Sequence, residues 1–135
     1  MLKSKKYIST LFILMMTLFA TPAFAQAYWG ALALNLDTGI AGGAWDYASE
    51  GDAIEGALDA CVRNHKGRRN NCVNIVSFYN GCAALYWSPV NKTYGYGIDS
   101  VGTNNALARA YKSCEEKGGK NCEEVKLFCT TRILY

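Results

Sequence analysis

Leucine recurs at every second position of residues 31–36, so that its three leucines fall on one face of an extended segment. This period of two predicts a strand. The turn signal Asp37-Thr38-Gly39 comes next, and residues 40–47 return as a second strand. The pattern therefore predicts two strands joined by a tight turn.

The following segment changes from a period of two to a helical period. Ser49, with Asp52 three residues later, resembles a capping box at the start of a helix. Apolar side chains then recur at helical spacing on one face, namely Ala53, Ile54, Ala57, Leu58 and Cys61. Residues 72–78 are rich in β-branched side chains, which predicts a third strand.

The second half of the chain repeats this pattern. A shift of 53 residues places Cys61 over Cys114, and a shift of 50 places Cys72 over Cys122. The two copies span about 28–81 and 82–135. The second copy predicts strands at 83–88, 94–99 and 123–129 and a helix from about Thr103 to Lys117.

Each copy has one amphipathic helix and three short strands, which are too few to enclose a core alone. We therefore expect an α+β fold built from a duplicated strand-strand-helix-strand unit. The two units would share one sheet, or a partly closed barrel, about a pseudo-two-fold axis. Residues 26–135 are expected to form this single domain.

Residues 1–25 have the pattern of a secretory signal peptide. A lysine-rich start precedes an apolar run from Tyr7 to Ala20, and Ala23-Phe24-Ala25 offers small residues at the cleavage positions. The run is shorter than the roughly 20 residues of a membrane span. We expect a periplasmic or secreted protein that begins at Gln26 and has no membrane span after cleavage.

Removal of this leader changes the charge of the chain. The sequence has 14 Lys and Arg against 11 Asp and Glu, and Lys3, Lys5 and Lys6 lie in the leader, which leaves 11 of each sign. A neutral balance does not indicate nucleic-acid binding. The charges are nevertheless segregated, because residues 26–62 carry acids without a base and residues 63–69 carry four cations.

The six cysteines of an exported chain predict disulfides. In each copy one cysteine ends the helix and another begins the next strand, which predicts Cys61–Cys72 and Cys114–Cys122. The third pair would then be Cys82–Cys129. Six cysteines allow many pairings, so this connectivity is inferred from the internal repeat.

The repeat also makes a prediction about two aromatic residues. Trp29 and Tyr79 occupy the positions in the first copy that Cys82 and Cys129 occupy in the second, so their rings are expected to touch. The cysteine spacing does not fit a zinc site, which usually needs closely spaced pairs of ligands. We therefore expect no metal and no cofactor.

Several segments together resemble a known bacterial family. They are "WGALAL" at 29–34 and its echo "NGCAALYWSPVNKTYGYGID" at 80–99, set within the doubled unit and the cysteine placement described above. Over nearly all of residues 26–135 the chain is similar to the exported domain of unknown function 4189 family. The resemblance implies an exported location and a fold, and it supplies no catalytic residues.

The sequence offers few candidates for catalysis. His65, the only histidine, lies in a polar segment among cations, which disfavour its protonation. Asp46 and Asp99 are related by the repeat and could act as the paired carboxylates of a small hydrolase if they converged. Alternatively, each ends a strand and accepts backbone N–H groups. We expect no catalytic residues.

Residues 94–99 have one aromatic face. Tyr94, Tyr96 and Ile98 share this face, while Gly95 and Gly97 share the other. An outward aromatic face would form a stacking platform for cell-wall glycan. An inward face would be part of the core, which is the interpretation we favour.

These features favour a non-catalytic protein-binding module, such as an inhibitor or immunity protein for an envelope-acting toxin or hydrolase. A cell-wall glycan-binding module is the alternative, and a small hydrolase ranks last. The candidate partner-binding residues are the basic segment and the tyrosine face, namely Arg63, His65, Lys66, Arg68, Arg69, Tyr94 and Tyr96.

Overall fold

The computed structural model describes residues 28–64 and 71–131. These residues form six strands and two helices. In chain order they are β1 (Trp29–Asn35), β2 (Ala41–Tyr47), α1 (Glu50–Asn64), β3 (Cys72–Tyr79), β4 (Cys82–Ser88), β5 (Thr93–Asp99), α2 (Thr103–Glu116) and β6 (Glu123–Cys129). The predicted signal peptide and most of the basic segment lie outside the described residues.

The strands form two antiparallel sheets of three strands each, with the orders β2-β1-β3 and β5-β4-β6. The α+β class is therefore as predicted. The expectation of one shared sheet or a partly closed barrel is wrong, because the described strands divide into two separate sheets. The central strands β1 and β4 each pair on both sides within their own sheet, so they do not pair with one another.

The two sheets face each other, and each is covered by one helix. The central core combines side chains from both sheets, including Leu32, Leu34 and Phe78 from the first and Leu85 and Trp87 from the second. Alternate residues of the central strands point the other way, toward the helices. The layers therefore run α1, first sheet, second sheet, α2.

Alanine dominates the faces between helix and sheet. Ala31 and Ala33 of β1 pack with Ala53 and Ala57 of α1, all of them buried. The second sheet meets α2 in the same manner, through Cys82, Ala84, Ala106 and Ala110. Small side chains on both surfaces bring each helix close to its sheet, and Gly42 and Gly97 leave no room for a side chain against the helix backbone.

The three disulfides are Cys61–Cys72, Cys82–Cys129 and Cys114–Cys122, which are the predicted pairs. Two of them join the end of a helix to the beginning of a strand or the residue just before one. Such a set is typical of a protein that folds in an oxidising compartment. Among the described helices, none is long and apolar enough to cross a membrane.

Side-chain hydrogen bonds close the same end of both sheets. The Oδ1 of Asn80 accepts the N–H of Tyr28 at 2.9 Å, and the N–H of Asn80 bonds to the carbonyl of Tyr28. In the second sheet the Oγ1 of Thr130 accepts the N–H of Gly81 at 2.9 Å, and the N–H of Thr130 bonds to the carbonyl of Gly81. Each of these residue pairs adds one more hydrogen-bonded pair beyond the end of the strands.

Two local predictions have different outcomes. The Oγ of Ser49 accepts the N–H of Asp52 at 3.2 Å, as expected at the start of a helix. Leu36, however, does not belong to β1 and is exposed. The strand ends at Asn35, because the Asn35 Oδ1 accepts the N–H groups of Asp37 and Thr38 and begins the turn there.

Candidate partner-binding surface

The basic segment is only partly described by the structure. Arg63 lies on the last turn of α1, and its side chain is exposed. The other predicted residues of the segment, namely His65, Lys66, Arg68 and Arg69, lie outside the described residues. Arg63 is therefore the one candidate of this segment within the part of the chain that the structure describes.

A pocket of about 170 Å³ lies beside Arg63, between α1 and the edge strand β2. Its lining includes Trp45, Tyr47 and Gly56 of α1, and the Tyr47 hydroxyl lies over Gly56, 2.6 Å from where a Cβ would stand. Trp45 is 49% exposed and Tyr47 is 38% exposed, which is high for such large apolar side chains. Two exposed aromatic residues of β2 therefore lie beside Arg63.

A bulge in β2 places these two aromatic residues. Between the register pairs Ala31–Ala44 and Trp29–Tyr47, β2 has two residues and β1 has one. One of these two β2 residues is Asp46, which has a positive φ of 62°. The bulge shifts the alternation of side chains, so that Tyr47 lies over Gly56 of α1, whereas the Trp45 ring lies against Phe128 of the second sheet.

Asp46 also connects the two halves of the domain. Its Oδ1 accepts the N–H of Thr131 at 2.7 Å, and its Oδ2 accepts the hydroxyl of Thr131. The Trp45 ring lies 5.4 Å from the ring of Phe128 in β6. Residues of the second half, Phe128 and Thr131, therefore hold Trp45 and Asp46 in place. These contacts join residues more than 80 positions apart, so no local sequence pattern predicts them.

The tyrosine face lies in another layer of the domain. Tyr94 and Ile98 pack against the central core, as the inward interpretation requires, whereas Tyr96 is 39% exposed. The Nζ of Lys117 lies 4.3 Å from the centre of the Tyr94 ring and 6.0 Å from that of Tyr96. These tyrosines belong to β5, so they do not share a layer with Arg63.

Asp99 has the contacts of a carboxylate that ends a strand. Its Oδ2 accepts the N–H groups of Val101 at 3.1 Å and Gly102 at 3.0 Å, and its Oδ1 lies 3.5 Å from Nη1 of Arg109. The hydrogen bond from Val101, then that from Gly102, lowers the pKa of Asp99. Asp46 and Asp99 thus have separate partners, and Asp99 behaves as the structural alternative predicted.

A larger cavity of about 460 Å³ lies on the other flank of α1. Its lining includes two carboxylates and three apolar or sulfur-containing side chains, namely Glu55, Leu58, Asp59, Val62 and Cys72. Within residues 28–64 and 71–131, no group of three or more potential metal ligands comes together.

No curated protein and no solved structure shows significant similarity to this chain. A family comparison does find a match, to the family described as Domain of unknown function (DUF4189), over residues 29–129. This range begins at the first residue of β1 and ends at the last residue of β6. Since the match covers every described strand and helix, the chain belongs to the DUF4189 family.

Proposed function

We propose that the protein is an exported, non-catalytic protein-binding module whose contact surface is centred on Trp45, Tyr47 and Arg63. The proposal includes cleavage of residues 1–25 as a signal peptide and action in the periplasm or outside the cell. An inhibitor or immunity protein for an envelope-acting toxin or hydrolase is the kind of role that fits this surface.

The observation that carries the proposal is the composition of one pocket. Tryptophan, tyrosine and arginine are the residue types that contribute most often to hot spots in protein interfaces. Here all three line the same pocket, and both aromatic residues are substantially exposed. The other candidate cations, Lys66, Arg68 and Arg69, follow Arg63 in the chain.

Rigidity of the scaffold supports the same proposal. The disulfide Cys61–Cys72 ties α1 to β3, and contacts from Thr131 and Phe128 support β2. A surface held in this manner loses little conformational entropy when a partner binds. In addition, all six cysteines form disulfides, so no thiol is available as a nucleophile.

A capture experiment with cell-envelope extract tests the proposal. The tagged protein, purified from an exporting host with its disulfides intact, is compared with Trp45→Ala and Arg63→Glu. We expect one partner protein to be recovered in stoichiometric amount and to be lost with both variants. The matched controls are Tyr111→Ala, which removes an aromatic residue of similar exposure on α2, and Lys112→Glu, which reverses a charge there.

The controls decide between a specific surface and general adhesion. Recovery that falls equally with Tyr111→Ala and Lys112→Glu would contradict the proposed surface. If no protein is recovered but the domain sediments with purified cell wall, the protein-binding proposal fails in favour of glycan binding.

Glycan binding is the second candidate, and the exposure of Tyr96 favours it. The Tyr96 ring lies at the edge of the second sheet, beside Tyr94 and below Lys117. An aromatic ring of this kind can stack against a sugar. Loss of cell-wall sedimentation with Tyr96→Ala, and its retention with Trp45→Ala, would support this candidate. A hydrolase that uses Asp46 and Asp99 ranks below both.

We also propose that the two halves are copies of one unit. In support, both halves have the same order of elements, and the buried face of each helix presents two alanines and a cysteine. Side-chain hydrogen bonds also extend each sheet at its matching end, through Asn80 and through Thr130. An alignment of family members in which the two halves share a common profile would test this proposal.

A further inference from the structure

Each sheet of the domain has two edge strands, namely β2 and β3 in the first sheet and β5 and β6 in the second. An edge strand exposes a row of N–H and C=O groups that can pair with a strand of another chain. Folded proteins usually block such edges with charged side chains or with groups that cover the backbone. The four edges of this domain differ in how they are blocked.

A helix side chain bonds to one edge strand in each sheet. Asn64 of α1 donates its side-chain N–H to the carbonyl of Ala41 in β2 at 2.9 Å. In the second sheet, Nη1 of Arg109 donates to the carbonyl of Ile98 in β5 at 2.6 Å. These edge carbonyls already have a partner within the chain, which disfavours pairing of β2 or β5 with another strand.

Charged side chains block the edge strand β6. Glu123 and Glu124 are both exposed, and Lys126 follows two positions later. A strand that paired with β6 would remove these charges from water, which costs free energy unless each charge gains a partner.

In the part of the chain that the structure describes, β3 has neither kind of protection. Its sequence, CVNIVSFY, contains no charged residue and no proline. A shift of 50 residues places Val73 over Glu123 and Asn74 over Glu124. The register of both strands shifts once along their length, so the bulges do not distinguish them. The difference between β3 and β6 is therefore one of charge.

The outer edge of β3 is open within residues 28–64 and 71–131. The β3 backbone pairs with β1 and bonds to no other described element. Val73 near the beginning of the strand is 37% exposed, and Tyr79 at its end is 55% exposed. An uncharged strand with an open backbone edge and exposed apolar side chains is a template for pairing with another strand.

The sequence of β3 matches itself when the strand pairs antiparallel with its own copy over its full length. In this register Val73 lies opposite Phe78 of the other copy, and Asn74 lies opposite Ser77. Phe78 and the β1 partner of Val73 belong to the core between the sheets, whereas the β1 partners of Asn74 and Ser77 pack against α1. Each residue therefore meets one from the same face of the sheet.

The charges also favour a second copy as the occupant of this edge. Because a strand and its copy carry the same charges, self-pairing of a charged edge brings like charges into one interface. β3 brings none. The carboxylate of Glu50 in α1 accepts the hydroxyl of Ser77, and in the paired register the Asn74 amide of the other copy would lie opposite Ser77 and can donate to this carboxylate.

We infer that two copies of the protein associate through β3, so that their two three-stranded first sheets join into one continuous antiparallel sheet. The pair is closed, because each copy uses the same strand and has no second β3 to offer. The contact is small, so the dissociation constant should be on the order of 10–100 μM. The interface lies at the opposite edge of the sheet from β2, so this inference does not depend on the proposed function.

Sedimentation equilibrium of the exported protein, with its disulfides intact, tests the inference. We expect the mass to rise from monomer to dimer between micromolar and millimolar concentration and to stop there. Hydrogen exchange provides the structural readout, since the outer backbone amides of β3 should exchange more slowly in the dimer. The protection should therefore increase with protein concentration.

Two variants of β3 and one matched control locate the contact. Val73→Glu and Asn74→Glu each give β3 the acid that β6 has at the corresponding position. Val90→Glu makes the same change in the turn between β4 and β5, where the valine is 59% exposed. We expect each β3 variant to weaken the dimer at least about tenfold, and Val90→Glu to leave it unchanged, with all three proteins folded by circular dichroism.

The outcomes separate this inference from the proposed function. A monomer at every concentration overturns the inference, as does a dimer that survives both β3 variants or is weakened equally by Val90→Glu. Growth beyond the dimer contradicts the closed pair. If the dimer forms through β3 but no envelope protein is captured, the inference stands and the proposed function fails. If a partner is captured by a protein that remains monomeric, the proposed function stands and the inference fails.

Discussion

Trp29 and Tyr79 face each other across β1 and β3, with ring centres 5.4 Å apart. Trp29 is the first residue of its strand and Tyr79 is the last of its own. In the second sheet the first residue of β4 and the last of β6 are Cys82 and Cys129, which are also register partners. An aromatic contact and a disulfide thus hold the same corner of the two sheets, and the contact predicted from the sequence is confirmed.

This relationship predicts that the aromatic pair can be replaced by a fourth disulfide. In the double variant Trp29→Cys/Tyr79→Cys, both cysteines would face each other in a register pair of the kind that already holds Cys82 and Cys129. We expect intact-mass measurement of the oxidised protein to show four disulfides. The single variant Trp29→Cys is the control and should have one free thiol; two free thiols in the double variant would contradict the prediction.

The disulfides should differ in their contributions to stability. The bond Cys82–Cys129 spans 47 residues and Cys114–Cys122 spans 8. In the chain-entropy model these loops contribute about 4 and about 2.5 kcal/mol to the free energy of unfolding. We expect urea denaturation to show a larger loss for Cys82→Ala/Cys129→Ala than for Cys114→Ala/Cys122→Ala. A loss that is equal or smaller would show that strain or residual structure outweighs loop length.

The elements could be predicted from the sequence because their patterns are local. The alternation in β1 and the helical period of α1 depend on neighbouring residues. The arrangement of the sheets is different, since Leu32 and Leu34 face the second sheet while Ala31 and Ala33 face a helix. Because β1 and β4 are apolar on both faces, their sequences do not show whether the two strands lie side by side in one sheet or face each other in two sheets.

The candidate site was harder to predict for the same reason. The charge of the basic segment is a local feature, so the sequence predicts it as a candidate site. The pocket instead depends on a bulge at Asp46 and on the contacts of Asp46 with Thr131, 85 residues away. The 53-residue shift that aligns Cys61 with Cys114 also aligns Gly56 with Arg109. The sequence shows that they differ, but only the structure shows that Arg109 reaches a strand edge.

Gly97 is predicted to be required for the close approach of α2 to its sheet. A Cβ at this position would lie 2.7 Å from the backbone nitrogen of Ala110 and would also contact the carbonyl of Ala106. Because backbone atoms of a helix cannot move singly, Gly97→Ala should lower the free energy of unfolding by about 1–3 kcal/mol. The measurement is urea denaturation followed by circular dichroism.

Gly51 provides the matched control for this substitution. It lies in α1 with nothing within 4 Å of its added Cβ, and alanine is the better helix former. Gly51→Ala should therefore be neutral or should stabilise the protein by up to about 1 kcal/mol. Equal losses in the two variants would contradict the explanation from close packing.

Asp99 should make the stability of the protein depend on acid pH. Its pKa in the folded state is lowered, first by the hydrogen bond from the Val101 N–H, then by that from Gly102, with a further contribution from Arg109. The ionised form therefore stabilises the fold above the pKa of the unfolded chain. This contribution is lost as the pH falls through the folded pKa, because the folded protein must then take up a proton.

The variant Asp99→Asn separates this group from the other carboxylates. Asparagine retains an oxygen for Val101 and Gly102 but does not titrate, so the difference in unfolding free energy between the two proteins should shrink from neutral pH to about pH 2. Arg109→Gln should keep most of the pH dependence, because the hydrogen bonds from Val101 and Gly102 each lower the pKa of Asp99 more than Arg109 does. If Asp99→Asn and the unchanged protein have parallel pH profiles, the stability of the fold does not depend on the ionised carboxylate. If the profile of Arg109→Gln matches that of Asp99→Asn, the ion pair with Arg109 causes the effect instead.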